Sequence, residues 1–212
     1  MSLNRACSKG DLASVKKIVN DGADINAIDS RGRTALFEAA WGGYNDIVKF
    51  LLDNGANANL ADSTGYTPVM RAAEEGHDSV VATLVQKGAD VNVHGKVRGT
   101  TALMLAAEHG HCKTIEKLID AGAKVNAIDH YEETALARAY RTNQTKAAEL
   151  IESKGGRGKP ERNTFQYADK EPPRPLAKAA APQWTAAPGD GVFDDDDVAG
   201  AGIPDEGFDE EE

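Results

Sequence analysis

Between residues 62 and 94 the apolar and polar positions fall into two short blocks of helical period. Val69, Met70, Ala72 and Ala73 form one apolar face; Val80, Val81, Leu84 and Val85 form a second, at i, i+1, i+4 and i+5. Asp62-Ser63-Thr64-Gly65 is turn chemistry ahead of the first block. Thr67 followed by Pro68 reads as a helix N-cap and a first helical position, where the missing N–H is harmless. Gly76 ends the first helix, and Gly88 closes the second as a left-handed C-cap. Neither helix is long enough to persist alone in water, so the unit requires copies of itself on either side.

The copies are present. Gly-Ala recurs at Gly22-Ala23, Gly55-Ala56, Gly88-Ala89 and Gly122-Ala123, and the capping Thr at Thr34, Thr67, Thr101 and Thr134. An Asn follows each Gly-Ala pair, at Asn26, Asn59, Asn92 and Asn126. The spacing from Asn92 to Thr101 is one residue longer than from Asn59 to Thr67, which predicts one lengthened turn within 94–99.

A period of about 33 residues with these signals resembles the ankyrin repeat, in Gly65-x-Thr67-Pro68, Ala72-Ala73, Gly76-His77 and Gly88-Ala89-Asp90-Val91-Asn92. The resemblance implies an all-α ankyrin-repeat solenoid over 1–156, in units 1–28, 29–61, 62–94, 95–128 and 129–156; beyond it the periodicity ends, and 157–212 reads as a disordered tail.

The first unit is an opening half-repeat: Leu3, Ala6 and Cys7 match Leu36, Ala39 and Ala40, while Asn4, Ser8, Lys9, Lys16 and Lys17 face solvent. The last is expected to close the stack. Glu132 replaces a turn Gly and must strain there, Asn143-Gln144 replaces Gly-His, and Glu152 occupies a place held elsewhere by Val19, Leu52, Val85 and Ile119. The family commonly places His three residues after the capping Thr. Here Phe37, Met70, Met104 and Ala137 stand instead, which implies the loss of a polar network between units.

Composition changes the picture in two ways. Hydrophobic content of 41% with only 6% aromatics suits thin layers of small residues better than one thick core. The net charge of −10 is concentrated at one end: 1–156 hold 18 basic and 20 acidic residues, whereas 190–212 hold 11 acids and no base. An acidic chain of this kind is expected to avoid nucleic acid and to offer its tail to a basic protein surface. Residues 157–189, rich in Pro, Ala and Gly, are too poor in apolar side chains to offset ordering entropy. Within 190–212, Phe193-Asp194-Asp195 and Phe208-Asp209 each place an aromatic before acids, a motif for docking on a basic partner. Two Cys, no export leader and no membrane-length apolar run predict a protein of the reducing interior, cytoplasmic with nucleus or cytoskeleton as alternatives, not secreted and without membrane contact. On its own the chain is expected to be monomeric.

Catalytic motifs are not found, so the chain is expected not to be an enzyme, and no cofactor is expected. His109-Gly110-His111-Cys112 is the one cluster of soft ligands; it lacks two further ligands, so no metal site is expected. Gly110-His111 repeats Gly76-His77, where the family uses His structurally. Cys7 falls on the small-residue face and is read as a buried, inert thiol. The resemblance places binding on the concave face. That surface implies Arg31, Arg33, Tyr66, Arg98 and Tyr131 at the turn tips and Trp41, Glu74, Glu75, Glu108, His109 and Arg141 at the ends of the first helices. The function implied is an adaptor or scaffold for proteins. Two alternatives stand beside it: a permanent subunit of a large assembly, and a regulator whose acidic tail occludes a partner's basic site.

Overall fold

The computed structural model describes residues 2–158. They form ten short helices and no strand. The helices are α1 (Leu3–Ser8), α2 (Leu12–Asn20), α3 (Ala35–Trp41), α4 (Asn45–Asp53), α5 (Pro68–Glu74), α6 (Asp78–Gln86), α7 (Ala102–Glu108), α8 (Cys112–Asp120), α9 (Ala135–Arg141) and α10 (Thr145–Ser153). Odd-numbered helices pack side by side as an inner row, even-numbered ones as an outer row, and each inner helix packs on the outer helix that follows it. The expected all-α ankyrin solenoid is what these residues form.

The inner helices approach closely because their shared faces are small: Ala6 with Cys7, Ala39 with Ala40, Ala72 with Ala73 and Ala106 with Ala107 are all fully buried. Larger side chains, Leu51, Leu84, Ile115 and Leu118, fill the space between the rows. The Thr hydroxyls at 34, 101 and 134 accept N–H bonds from Phe37, Met104 and Ala137. At the place of the missing His, the sulfurs of Met70 and Met104 accept the N–H groups of Thr67 and Thr101 at 3.4 and 3.5 Å. These weak bonds cap a helix within one unit and make no link between units.

The four Asn residues tie neighbouring units together. Asn59 accepts the N–H of Asp90 at 2.8 Å and donates to the carbonyl of Gly88 at 3.1 Å. Asn26 and Asn92 bond in the same way to Gly55 with Asn57, and to Gly122 with Lys124. Asn126 repeats the pattern on the last described unit, donating to the carbonyl of Gly155 and accepting the N–H of Arg157 beyond the end of α10. Two departures of the last unit take the backbone their positions imply: among the described residues, Glu132 and Asn143 are the two non-glycine residues at positive φ, both +60°. Glu152 is exposed and accepts from the Tyr140 hydroxyl at 2.6 Å.

Candidate functional site

Between the helix pairs the chain forms four fingers, at 29–34, 62–67, 95–101 and 129–134. Three begin with an Asp whose Oδ1 accepts the N–H groups two and four residues on: Arg31 and Arg33 for Asp29, Thr64 and Tyr66 for Asp62, Tyr131 and Glu133 for Asp129. The third finger departs. Gly95 replaces the Asp, and Gly95 N–H donates to Thr100, one residue further than in the other fingers. This is the lengthened turn that the Asn92 to Thr101 spacing predicted. Successive fingers touch through backbone bonds from Ser63 to Arg31, Lys96 to Thr64 and His130 to Arg98.

The groove behind the fingers carries three columns of side chains, one residue before, four after and seven after each capping Thr. The first column is Arg33, Tyr66, Thr100 and Glu133; the last is Trp41, Glu74, Glu108 and Arg141. The middle column, Glu38, Arg71, Leu105 and Arg138, was missed from the sequence because a charge on a short helix reads as solvent-facing. Its signal was there, since three of four repeats place a charge among alanines at the same phase.

The middle column organises its neighbours. Arg71 lies over the rings of Tyr66, Trp41 and Phe37, at 4.8, 5.1 and 5.6 Å from their centroids, and pairs with Glu74. Trp41 Nε1–H donates to Glu75 at 3.1 Å, and the indole is 40% exposed. Arg138 is only 1% exposed; it bonds Asp129 at 2.6 Å, Glu108 at 2.7 Å and Thr100 at 3.0 Å. Arg141 extends this network to Glu108 and Glu133. Arg33 is held by Asp29 and Glu38.

These contacts correct the expected surface. Tyr66 is half-buried, because Arg71 covers one side and the third finger crowds the other, with Gly95 against its ring edge. Arg33, Glu74 and Glu108 are half-buried and occupied by ion pairs, and Thr100 is buried. Arg31, Trp41, Glu75, Arg98, His109, Tyr131 and Arg141 are exposed. Phe193, Asp194, Asp195, Phe208 and Asp209 lie outside the described residues. His77 and His111 place Nε2 at 3.0 and 2.9 Å from the carbonyls of Trp41 and Glu74, a structural use that ties the start of outer helices α6 and α8 to the end of the preceding unit's inner helix. Burial, helped by nearby Glu38, pushes the Cys7 thiol up to about 12, so it stays protonated at neutral pH.

Burial pushes the Asp129 and Glu108 carboxyls upward, but bonds from Arg138, together with backbone N–H groups at Asp129 and Arg141 at Glu108, hold both below their ordinary range. Asp29 is likewise lowered: desolvation opposes, and bonds from Arg33 and Arg31 prevail. Glu38 runs the other way, raised by burial. A carboxylate whose folded pKa is depressed contributes stability that is full above its unfolded value, about 4, and lost as pH falls through the folded value. Asp11 and Asp53 are lowered as well, by bonds from Ser14 and Lys87. With five depressed carboxyls against one raised, the melting temperature is expected to hold from about pH 7 to about pH 5 and to fall below about pH 4. Thermal melts by circular dichroism across that range check this; a rise in melting temperature on acidification would contradict it.

No described helix is long and apolar enough to cross a membrane. The sequence profile of the family described as ankyrin repeats (3 copies) matches residues 3–95 and 93–159. Two Rickettsia felis proteins named as ankyrin repeat proteins, RF_p14 and RF_pd14, are each 50% identical to this chain over 46 residues. That stretch is 22% of this chain and 73% and 70% of theirs. Stacked helix pairs, glycine-closed fingers and the family profile agree: the chain belongs to the ankyrin repeat family, whose repeats are a protein–protein interaction module.

Proposed function

We propose that this protein is an adaptor or scaffold that holds a partner polypeptide in the groove between its fingers and inner helices. The observation that carries the reading is the cluster of Trp41, Tyr66 and Arg71 on the groove wall, with Trp41 held in one orientation by Glu75 yet 40% exposed. Trp, Tyr and Arg are the residue types on which binding energy concentrates. A rigid indole adds contact area at little further loss of freedom. The acidic segment 190–212 is proposed, from its sequence alone, as a second contact surface; two surfaces on one chain raise avidity where both reach one assembly.

The test is an affinity pull-down with the full-length chain and with Trp41→Ala, followed by quantitative mass spectrometry. Recovery of the groove partner is expected to fall at least about tenfold. The melting temperature is expected to fall only modestly, since the loss removes one of three ring contacts of Arg71 and the Glu75 bond but leaves the third finger in place. Both chains are compared well below their melting temperatures. Equal recovery of every partner would remove the groove from the account. Tyr66→Ala is the poorer probe: the half-buried ring supports Arg71 and the third finger, so its loss affects folding as well as binding.

A further inference from the structure

The third finger breaks the repeat, and every break adds positive charge or exposed apolar surface. It replaces the Asp that opens the other fingers with Gly95, gains a residue, and carries Lys96, Val97 and Arg98 at its tip. Lys96 and Arg98 are exposed, and Val97 is 67% exposed. The adjoining fourth tip supplies Tyr131, 65% exposed, with the Arg98 guanidinium 5.9 Å from its ring centroid. Contact between the two tips is direct: His130 N–H donates to Arg98, and its Nδ1 lies 3.3 Å from the Val97 carbonyl.

The arginines of the groove wall are already matched. Arg33, Arg71, Arg138 and Arg141 each pair with a carboxylate, whereas Arg31, Lys96 and Arg98 join none of the ion pairs among the described residues. The first finger therefore adds one more unmatched cation on the same edge. Glu132, at the fourth tip, bounds the positive stretch on that side. None of this is required for stacking, because the other fingers stack without it.

We propose that this ridge, centred on Lys96, Val97 and Arg98 with Tyr131 beside them, docks an acidic segment of a partner protein that carries an apolar side chain among its carboxylates. The inference rests on the protein-binding reading above and specifies which chemistry the finger edge takes. Carboxylates meet the unmatched cations, while the apolar side chain covers Val97 and the Tyr131 ring. Charge pairing of this kind sets orientation and encounter rate and fades with salt.

The experiment is a titration of the full-length, nitrogen-15-labelled chain with a short peptide bearing one phenylalanine inside a run of aspartates, read by amide chemical shifts. Shifts are expected to concentrate on 95–100 and 130–131. The doubly substituted chain, Lys96→Glu with Arg98→Glu, is expected to bind at least about tenfold more weakly, as is an asparagine version of the peptide. Both substitutions fall on exposed tips, and a melt confirms the fold. Shifts centred on Trp41, no shifts at all, or indifference to the double substitution would overturn the proposal. So would a single-stranded oligonucleotide producing the same shifts more tightly, which would assign the ridge to nucleic acid. Partner capture that depends on Trp41 while the fingertips stay silent sinks this proposal alone. Independence from Trp41 sinks the groove reading beneath it.

Discussion

Arg138→Ala is expected to destabilise the C-terminal end of the repeat stack by about 3–5 kcal/mol, the range for removing one partner of a buried ion pair. The Asp129 side chain is 0% exposed and its Oδ2 accepts from Arg138, while its Oδ1 holds the N–H groups of Tyr131 and Glu133. Without the guanidinium, a buried carboxylate at the root of the fourth finger has no counter-charge. Glu108 and Thr100, on the preceding repeat, lose the same partner. Because each repeat rests only on its neighbours, and among the described residues the last packs on one, the loss should appear locally. Hydrogen exchange is expected to accelerate across α9 and α10 and to leave α3 to α6 unchanged. The chain supplies its own control: in the preceding repeat Leu105 fills the place of Arg138, buried at 3%, and there the finger opens with Gly95 rather than Asp. Removing the charge as well, in Asp129→Asn with Arg138→Leu, should therefore recover at least about half of the loss, since Asn keeps an acceptor for the two finger N–H groups. A loss under about 1 kcal/mol for Arg138→Ala would show that water reaches Asp129 and that the pair does not hold the repeat.

What could be read from the sequence is what the backbone demands at every copy. Capping Thr, left-handed Gly and bridging Asn recur because the same turn recurs. A single copy out of step, such as the longer third finger or Glu132 in place of Gly, is then visible as an exception. The side-chain network was not legible to the same degree. Arg138 looks like any surface arginine on a short helix, and its partners Thr100 and Glu108 lie 38 and 30 residues earlier. Tyr66 read as an exposed anchor because nothing local covers it; the cover is Arg71 from the following helix and the finger of the next repeat. Repeat phase did carry the information, as three charges in one column, but charge alone does not say whether a partner stands opposite. The Met sulfurs that cap the Thr67 and Thr101 N–H groups were likewise invisible, since a Met among apolar residues reads as packing.

Gly65→Ala is expected to cost about 2–3 kcal/mol, and Glu132→Gly to change stability by no more than about 1 kcal/mol. The two residues hold the same turn position, with φ of +82° and +60°. What differs is the neighbour. A Cβ on Gly65 would come 2.6 Å from the backbone nitrogen of Lys96, whose N–H donates to Thr64 at 3.0 Å. That atom moves only if the third finger moves. The left-handed conformation accounts for about 1–2 kcal/mol of the expected loss, and the displaced inter-finger bond for about 1 more. Gly32 and Gly99 face the next finger in the same way, with Ser63 and His130 backbone nitrogens each 3.0 Å from the added atom. Glycine at a fingertip thus answers to stacking as well as to φ, and the fourth tip, followed by no further finger among the described residues, carries glutamate. If Gly65→Ala and Glu132→Gly shift the urea midpoint by equal and opposite amounts, φ alone sets the preference and the stacking argument fails. A loss at Gly65 clearly larger than the gain at Glu132, with exchange quickening at Lys96, would tie the preference to the finger beyond.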